Sequence, residues 1–165
     1  MGSQLNFICP TDHLESIISH TFGGTHYFLS SLGNSLAFDL ETLEKIEELI
    51  LEKNIRKVSF FLSDDNQILS DALSGQSLKK LVSLPGFYDQ INQKKARSEE
   101  LWTHNTSHSF IISYHLKQKI NELTLRLGDP YFEAIDIEAK IYKRQKNLFQ
   151  DIYPDLILQN QINLN

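Results

Sequence analysis

Residues that could bind a metal ion or act in catalysis occur in a few short stretches of the sequence. In the first stretch, Cys9 is followed by Asp12 and His13. Thiolate and imidazole groups are common ligands of Zn²⁺, so Cys9 and His13 form a candidate metal site. The alternative role of Cys9 is that of a small buried hydrophobic residue at the end of a strand.

The second stretch is acidic and follows a predicted strand. Asp64 and Asp65 come directly after Ser63, and Asp71 lies further along. Carboxylates are preferred ligands of Mg²⁺ and Ca²⁺, but this stretch lacks the Gly and the closing Glu of a calcium-binding loop. The alternative is that Asp64 or Asp65 caps a helix by accepting hydrogen bonds from its first amides. Ser63 has no His and Asp pair placed for it in the sequence, so a serine nucleophile is not predicted.

Three further histidines lie in the second half of the chain. His104 and His108 would share one face of a helix, and His115 follows them. An HxxxH pattern without a Glu after its first His is not a metalloprotease motif. We expect these histidines to be partly exposed residues of a helix.

The composition excludes several classes of protein. The 165 residues suffice for a single domain, residues 1–165, that buries a core without a disulfide or a structural metal. The single Cys excludes an internal disulfide framework and a CxxC zinc module. A net charge of −5 without a basic stripe argues against nucleic-acid binding, and no apolar run reaches the roughly 20 residues of a membrane helix. We therefore expect a cytoplasmic protein with neither nucleic-acid nor membrane partners.

The hydrophobic pattern predicts an α/β fold. Short apolar or alternating segments predict strands at residues 4–9, 25–30, 57–62, 132–142 and 148–149. The nearly continuous apolar run at 57–62 is typical of a strand that is buried on both faces, as in a parallel sheet. We expect a central, mainly parallel sheet of about four strands with an antiparallel edge strand, flanked by helices.

The predicted helices separate these strands. Asp39 is a good N-cap for the clearest helix, which reaches about residue 53 and carries one apolar face: Leu40, Leu43, Ile46 and Ile50. A second apolar stripe predicts a helix at residues 109–127. Weaker patterns predict short helices or loops at residues 11–21, 67–84 and 88–102. The C-terminal tail, residues 151–165, is expected to pack on the domain or on a partner chain.

The order of these pieces resembles that of the β-class carbonic anhydrases. The resemblance lies in a strand ending at Cys9 with Asp12 nearby, a strand followed by Gly33-Asn34, an acid-capped helix, and a buried strand running into Ser63. It implies zinc at the carboxyl ends of two neighbouring strands, held by the Cys of a Cys-x-Asp-x-Arg motif and by a His-x-x-Cys pair. Ligands at strand carboxyl ends are typical of open α/β sheets. The resemblance also implies a homodimer.

Carried over residue by residue, the resemblance puts weak metal ligands at two of the three zinc positions. Cys9 matches the first ligand and Asp12 the motif aspartate, with one residue more between them than the motif has and without its arginine. The resemblance thus makes Cys9 and Asp12 the candidate catalytic residues. Ser63 falls at the His position and Asn66 at the Cys position. Because Ser and Asn are not usual zinc ligands, we predict a degenerate zinc site.

The residues therefore favour a carbonic-anhydrase-like protein without carbon dioxide hydratase activity. Zinc hydration chemistry needs three protein ligands and an open fourth position to bring the pKa of bound water to about 7. We expect a module that needs no cofactor and binds an unknown small molecule or anion in a crevice formed by Cys9, Asp12, Gly33, Asn34, Ser63, Asp64 and Asn66. The alternative is an enzyme: a divergent zinc-dependent carbonic anhydrase that uses Cys9 with a nearby His such as His13.

Overall fold

The mainly parallel sheet predicted from the sequence is present in the computed structural model, which describes residues 2–74, 84–99, 107–128 and 134–153. The strands are β1 (Ser3–Ile8), β2 (Thr25–Ser30), β3 (Ile55–Ser63), β4 (Asp136–Lys143) and β5 (Leu148–Asp151). They lie in the order β2-β1-β3-β4-β5. The first four pair in parallel, and β5 pairs with β4 in the antiparallel direction.

The helices also follow the sequence pattern. They are α1 (Glu15–Phe22), α2 (Leu40–Glu52), α3 (Gln67–Leu73), α4 (Pro85–Glu99) and α5 (Ser107–Arg126). In α2 the cap is as predicted, since Asp39 Oδ1 accepts a hydrogen bond from Thr42 N at 2.9 Å. The prediction for Leu40 is wrong, because its side chain is 74% exposed. As the first helical residue, Leu40 directs its side chain back toward the helix N-terminus and away from the core.

Apolar side chains cover both faces of the sheet. On one face, the Phe7 ring stacks on the Phe60 ring with 4.6 Å between centroids, and helices α2 to α5 pack there. On the other face, Leu14, the N-cap residue of α1, and Ile18 within α1 pack with Phe61. Neighbouring residues of β3 thus enter different cores, which explains the nearly continuous apolar run in its sequence.

Short 3₁₀ turns lie at the carboxyl edge of the sheet. One turn (Pro10–Asp12) follows β1, a second (Leu32–Asn34) follows β2, and a third (Arg144–Lys146) joins β4 to β5. Because β1 to β4 are parallel, their carboxyl ends meet at one edge, and these turns bring polar residues together there. His104, residues 132–133 of the predicted fourth strand, and residues 154–165 of the tail lie outside the described residues.

Candidate functional site

Asp12 is the centre of a polar cluster at the carboxyl edge of the sheet. The turn after β1 closes with a hydrogen bond from Asp12 N to Cys9 O at 3.1 Å, and the Asp12 side chain is buried. Its Oδ2 accepts from Ser63 N at 2.8 Å, and its Oδ1 accepts from Asn66 Nδ2 at 2.8 Å. Both carboxylate oxygens are therefore engaged by groups at the end of β3 and in the loop after it.

The environment of Asp12 acts on its charge in opposing directions. Burial raises the pKa of the Asp12 carboxyl above its ordinary value, because it disfavours the charged form. The hydrogen bonds from Ser63 and Asn66 and the charge of Arg144 oppose that rise. The two N–H donors favour the charged form, because a carboxylate accepts a hydrogen bond at each oxygen.

Asn66 links this cluster to helix α3. Its Oδ1 accepts a hydrogen bond from Leu69 N at 2.9 Å, so Asn66 is the N-cap of α3, while its Nδ2 donates to Asp12. Both ends of the amide thus have fixed roles, and the residue is buried. The sequence suggested Asp64 or Asp65 as the cap of this helix. That prediction is wrong, because the cap residue of α3 is Asn66.

Arg144 joins the cluster from the turn between β4 and β5. Its Nε donates to both oxygens of Asp65, at 3.0 and 2.8 Å. Its Nη2 donates to Asp12 O at 3.1 Å and to Ser63 Oγ at 3.4 Å. Ser63 also donates its hydroxyl hydrogen to Asp65. Burial raises the pKa of Asp65, but the hydrogen bonds from Ser63 and Arg144 outweigh it and hold that pKa below its ordinary value.

Sequence reasoning found no role for Arg144. It lies 132 positions from Asp12 in the chain, within a polar segment typical of a hairpin turn. In the Cys-x-Asp-x-Arg motif the arginine follows the aspartate closely in sequence, and this chain has none there. The guanidinium near Asp12 comes instead from Arg144, in the turn between β4 and β5. No signal in the sequence identifies that contact.

Cys9 faces away from this cluster into the main core. The residue is fully buried among apolar side chains. Its Sγ accepts a hydrogen bond from Gly33 N at 3.1 Å and lies 3.1 Å from Thr11 Oγ1. Asp12 is directed toward the end of β3, whereas Cys9 stays in the core.

His13 does not form a site with Cys9. His13 is exposed, and its φ of 54° places its backbone in the left-handed region directly after the turn. It lines the crevice beside Asp12, whereas Cys9 does not. The metal pair suggested by the sequence is therefore not assembled.

Gly33 and Asn34 lie in the turn after β2, at the carboxyl edge of the sheet. Asn34 Nδ2 donates to Phe61 O at 2.7 Å and to Phe7 O at 3.4 Å, which ties β3 to β1. Gly33 has a φ of +62°, and a Cβ there would lie 2.8 Å from Phe87 Cζ. Neither residue lines the crevice that contains Asp12.

The acidic residues after β3 have separate partners. Asp64 Oδ1 accepts from Arg144 N at 3.2 Å, and Asp64 N donates to Tyr142 O at 2.9 Å. Asp71 Oδ2 accepts from Tyr88 Oη at 2.6 Å. Burial, together with Asp71, raises the pKa of the Tyr88 hydroxyl. The three aspartates are thus not gathered around one cation position.

The open part of the site is a crevice of about 440 Å³. It is lined by Pro10, Thr11, Asp12, His13, Asp65, Gln67 and Arg144. Within the described part of the chain, no group of three or more His, Cys, Asp or Glu side chains is arranged to hold a metal ion. The same residues include no helix that is long and apolar enough to cross a membrane.

Solved structures of β-carbonic anhydrases share this architecture. The CafA enzyme of Aspergillus fumigatus matches with a TM-score of 0.72 and 14% identity, covering 98% of this chain and 82% of its own. The chain has the β-carbonic anhydrase fold. A tetrameric β-carbonic anhydrase from Sordaria macrospora matches with a TM-score of 0.69 and 14% identity, over 92% of this chain and 80% of its own.

A third solved structure of the same fold extends the comparison. The β-carbonic anhydrase of Coccomyxa, in complex with acetazolamide, matches with a TM-score of 0.65 and 10% identity, over 92% of this chain and 72% of its own. No family model and no curated protein matches the sequence. The resemblance to β-carbonic anhydrases found in the sequence is thus confirmed at the level of the fold.

The side chains at the positions that the resemblance assigns to zinc ligands, Cys9, Ser63 and Asn66, do not suit zinc, and none of them lines the Asp12 crevice. Of the three positions that the resemblance assigns to ligands, only Cys9 carries a usual zinc-binding group. Its Sγ already accepts a hydrogen bond from Gly33 N inside the core. The Asn66 amide is engaged at both ends, and Ser63 contributes an alcohol. These side chains therefore support no catalytic step at a metal ion.

Proposed function

We propose that this chain is a carbonic-anhydrase-like binding module without carbon dioxide hydratase activity. The observation that carries the proposal is the double role of Asn66, which caps α3 and donates to Asp12. A residue held in this way stabilises the loop after β3 and offers no thiolate to a metal. Asp12, held by Ser63 N and Asn66, is a structural carboxylate rather than a group free to act on a metal-bound water.

The ligand of this module would be a small polar molecule or anion bound in the Asp12 crevice. The crevice volume, about 440 Å³, falls in the range of roughly 300–1,000 Å³ that is typical of small-molecule sites. Arg144 lines it and uses Nε and Nη2 for hydrogen bonds within the described residues. Its Nη1 has no such bond there, so a guanidinium edge is available to an oxygen-bearing ligand.

We also propose that the protein self-associates. The Sordaria macrospora enzymes of the same fold are described as tetrameric, and the resemblance found in the sequence implies a homodimer. β2 lies at one end of the sheet, paired only with β1 among the described strands, and its central residues are half-buried. A cytoplasmic location stays a prediction from the sequence.

Metal content and hydration activity test the proposal directly. Untagged protein is incubated with zinc, loosely bound ions are removed, and zinc per chain is measured by elemental analysis alongside stopped-flow carbon dioxide hydration. We expect no stoichiometric zinc and no rate above the buffer control. About one zinc per chain, lost in Cys9→Ser, would overturn the proposal and would support a divergent zinc hydratase.

A double variant tests whether the crevice keeps the geometry of the fold family. Ser63→His combined with Asn66→Cys restores the residue types that the resemblance implies. Stoichiometric zinc in the folded double variant, but not in wild type, would support a shared geometry with altered side chains. Because Asn66 is also a helix cap, folding is verified first by circular dichroism. A folded double variant without zinc would mean that the correspondence of Ser63 and Asn66 is wrong.

Ligand binding is tested with bicarbonate and inorganic phosphate as probes. Isothermal titration calorimetry of wild type is compared with Arg144→Ala, and with Arg126→Ala as a matched control because Arg126 is exposed on α5. We expect at least tenfold weaker binding in Arg144→Ala and unchanged binding in Arg126→Ala. Equal affinity in all three proteins would exclude the Asp12 crevice as the binding site.

A further inference from the structure

A second and larger cavity, of about 620 Å³, lies between α4 and α5. It shares no lining residue with the Asp12 crevice. Its walls carry amine and amide groups on both helices: Gln90, Gln93, Lys94, Gln118, Lys119 and Asn121. Amides and amines can all donate hydrogen bonds, so the lining suits an acceptor-rich ligand.

Lys94 is the unusual residue of this cavity. It is only 9% exposed, although lysine is among the residue types that are least often buried. Its Nζ lies 3.4 Å from His115 Nδ1 and 5.5 Å from the centroid of the Tyr114 ring. No carboxylate of the described residues forms an ion pair with it. A buried cation without a counter-charge is costly, because nothing replaces its interaction with water.

His115 fixes one side of the Lys94 ammonium without supplying a charge. Its Nε2 lies 2.8 Å from the carbonyl oxygen of Gly33 and must donate to it. Nδ1 then carries the lone pair that accepts from Lys94. Burial and the charge of Lys94 lower the pKa of His115 to about 3, so the ring is neutral at physiological pH. The ammonium keeps further N–H donors for a ligand.

Lys119 places a second ammonium on the same cavity. Its Nζ donates to Leu36 O at 3.0 Å and to Glu122 Oε2 at 3.1 Å. The side chain of Lys119 is 12% exposed, and Glu122 is the one described carboxylate in the lining. Two ammonium groups against one carboxylate leave an excess positive charge in the cavity. Burial, together with Lys119, lowers the pKa of Lys94 to about 8, which still leaves Lys94 mostly protonated at pH 7.

We propose that the cavity between α4 and α5 binds a small anion, a carboxylate or a phosphoryl group, whose charge lies against Lys94 and whose remaining polar atoms contact the surrounding glutamines. An anion at this position supplies the counter-charge that the described residues do not give to Lys94. The site does not depend on the function proposed for the Asp12 crevice.

The test measures the binding of acetate and of inorganic phosphate separately by isothermal titration calorimetry at pH 7 and constant ionic strength. Lys94→Met removes the ammonium but keeps a chain of similar length, and Lys94→Arg keeps the charge. Lys45→Met is the matched control, since Lys45 lies on the exposed side of α2. Thermal melts of every variant establish that it is folded.

We expect one of the two probes to bind the wild-type protein, with affinity reduced at least tenfold in Lys94→Met and changed less than threefold in Lys45→Met. Lys94→Arg should retain binding, because a guanidinium also carries the charge. The preferred probe identifies the ligand class. Binding that survives Lys94→Met but is lost in Arg144→Ala would move the anion to the Asp12 crevice and overturn this proposal, as would no binding of either probe by wild type.

Discussion

At the scale of single residues, Asn66 is predicted to contribute more than an ordinary helix cap. Asn66→Ala removes the cap of α3 and also the donor to the buried Asp12 carboxylate. Loss of a cap costs about 1 kcal/mol, and a buried acceptor left unpaired costs roughly 1–3 kcal/mol more. We therefore expect the free energy of unfolding to fall by about 2–4 kcal/mol, measured by urea denaturation.

Asp39 provides the matched control for Asn66. It caps α2 with the same geometry, through Thr42 N at 2.9 Å, but lies at an exposed position. Asp39→Ala should cost only about 1 kcal/mol. Equal losses of unfolding free energy in the two variants would show that the hydrogen bond from Asn66 to Asp12 contributes nothing to stability. Asn66 would then be an ordinary helix cap.

A second residue-scale prediction concerns acid sensitivity through His115. The folded pKa is lowered to about 3, whereas the unfolded chain takes up a proton near the ordinary value of 6.5. Between these values the unfolded state binds more protons, so stability is fully present above pH 6.5 and falls as the pH drops. The loss approaches about 1.4 kcal/mol for each pH unit in that window.

Denaturation midpoints from pH 7 down to pH 4.5 measure this effect. His115→Gln keeps an N–H donor for Gly33 O but cannot titrate, so its stability should depend less steeply on pH than that of wild type. His20→Gln, at an exposed position of α1, should behave like wild type. Identical slopes for wild type and His115→Gln would contradict a neutral, buried His115.

At the scale of elements, the Leu32–Asn34 turn is predicted to depend on Gly33. Its φ of +62° is unfavourable for other residues, and an added Cβ would lie 2.8 Å from Phe87 Cζ and 3.3 Å from Ile68 Cγ2. Gly33→Ala should therefore lower the free energy of unfolding by roughly 2–4 kcal/mol, since backbone strain and overpacking add.

Gly86 in α4 is the control for that substitution. An added Cβ there meets no atom within 4 Å. Gly86→Ala should leave stability unchanged or raise it by up to about 1 kcal/mol, because Ala favours helix more than Gly does. Differential scanning calorimetry of the two variants makes the comparison. A stable Gly33→Ala variant would mean that the turn can move away from Phe87.

The elements themselves were largely predictable, because local patterns encode them. Apolar or alternating segments predicted β1, β2 and β3. The cap residue Asp39 and the helical spacing of Leu43 and Ile50 predicted α2. The turn after β1 was less predictable. Its 3₁₀ geometry depends on Pro10 and on the contacts of Asp12 with the end of β3, which lie far away in sequence.

At the scale of the whole molecule, the candidate sites depend on contacts that the sequence does not display. Ser63, Asp12 and Asn66 could be expected at one sheet edge, because strand carboxyl ends meet there. Arg144 could not, since it reaches Asp12 because β4 pairs in parallel with β3, and the sequence does not specify which strand β4 pairs with. The histidine prediction holds for His108, which is half-buried in α5. It is wrong for His115, which is 1% exposed because α4 packs over it, and the sequence does not specify how the two helices pair.

The last prediction concerns assembly through the C-terminal tail. The chain leaves β5 with Ile152 N donating to Ala139 O at 3.5 Å and Tyr153 N donating to Ser113 Oγ at 3.5 Å, so it turns back from the sheet edge toward α5. The sequence beyond this point is rich in apolar residues, including Leu156, Ile157 and Leu158.

We expect a chain ending at Tyr153 to have a lower oligomeric mass than the full chain by light scattering, with an unchanged melting temperature at high dilution. A full-length variant with serine at 156–158 separates loss of apolar contacts from loss of length and should behave like the truncated chain. Equal masses for all three proteins, accompanied by a lower melting temperature in the two variants, would instead mean that the tail packs on its own domain.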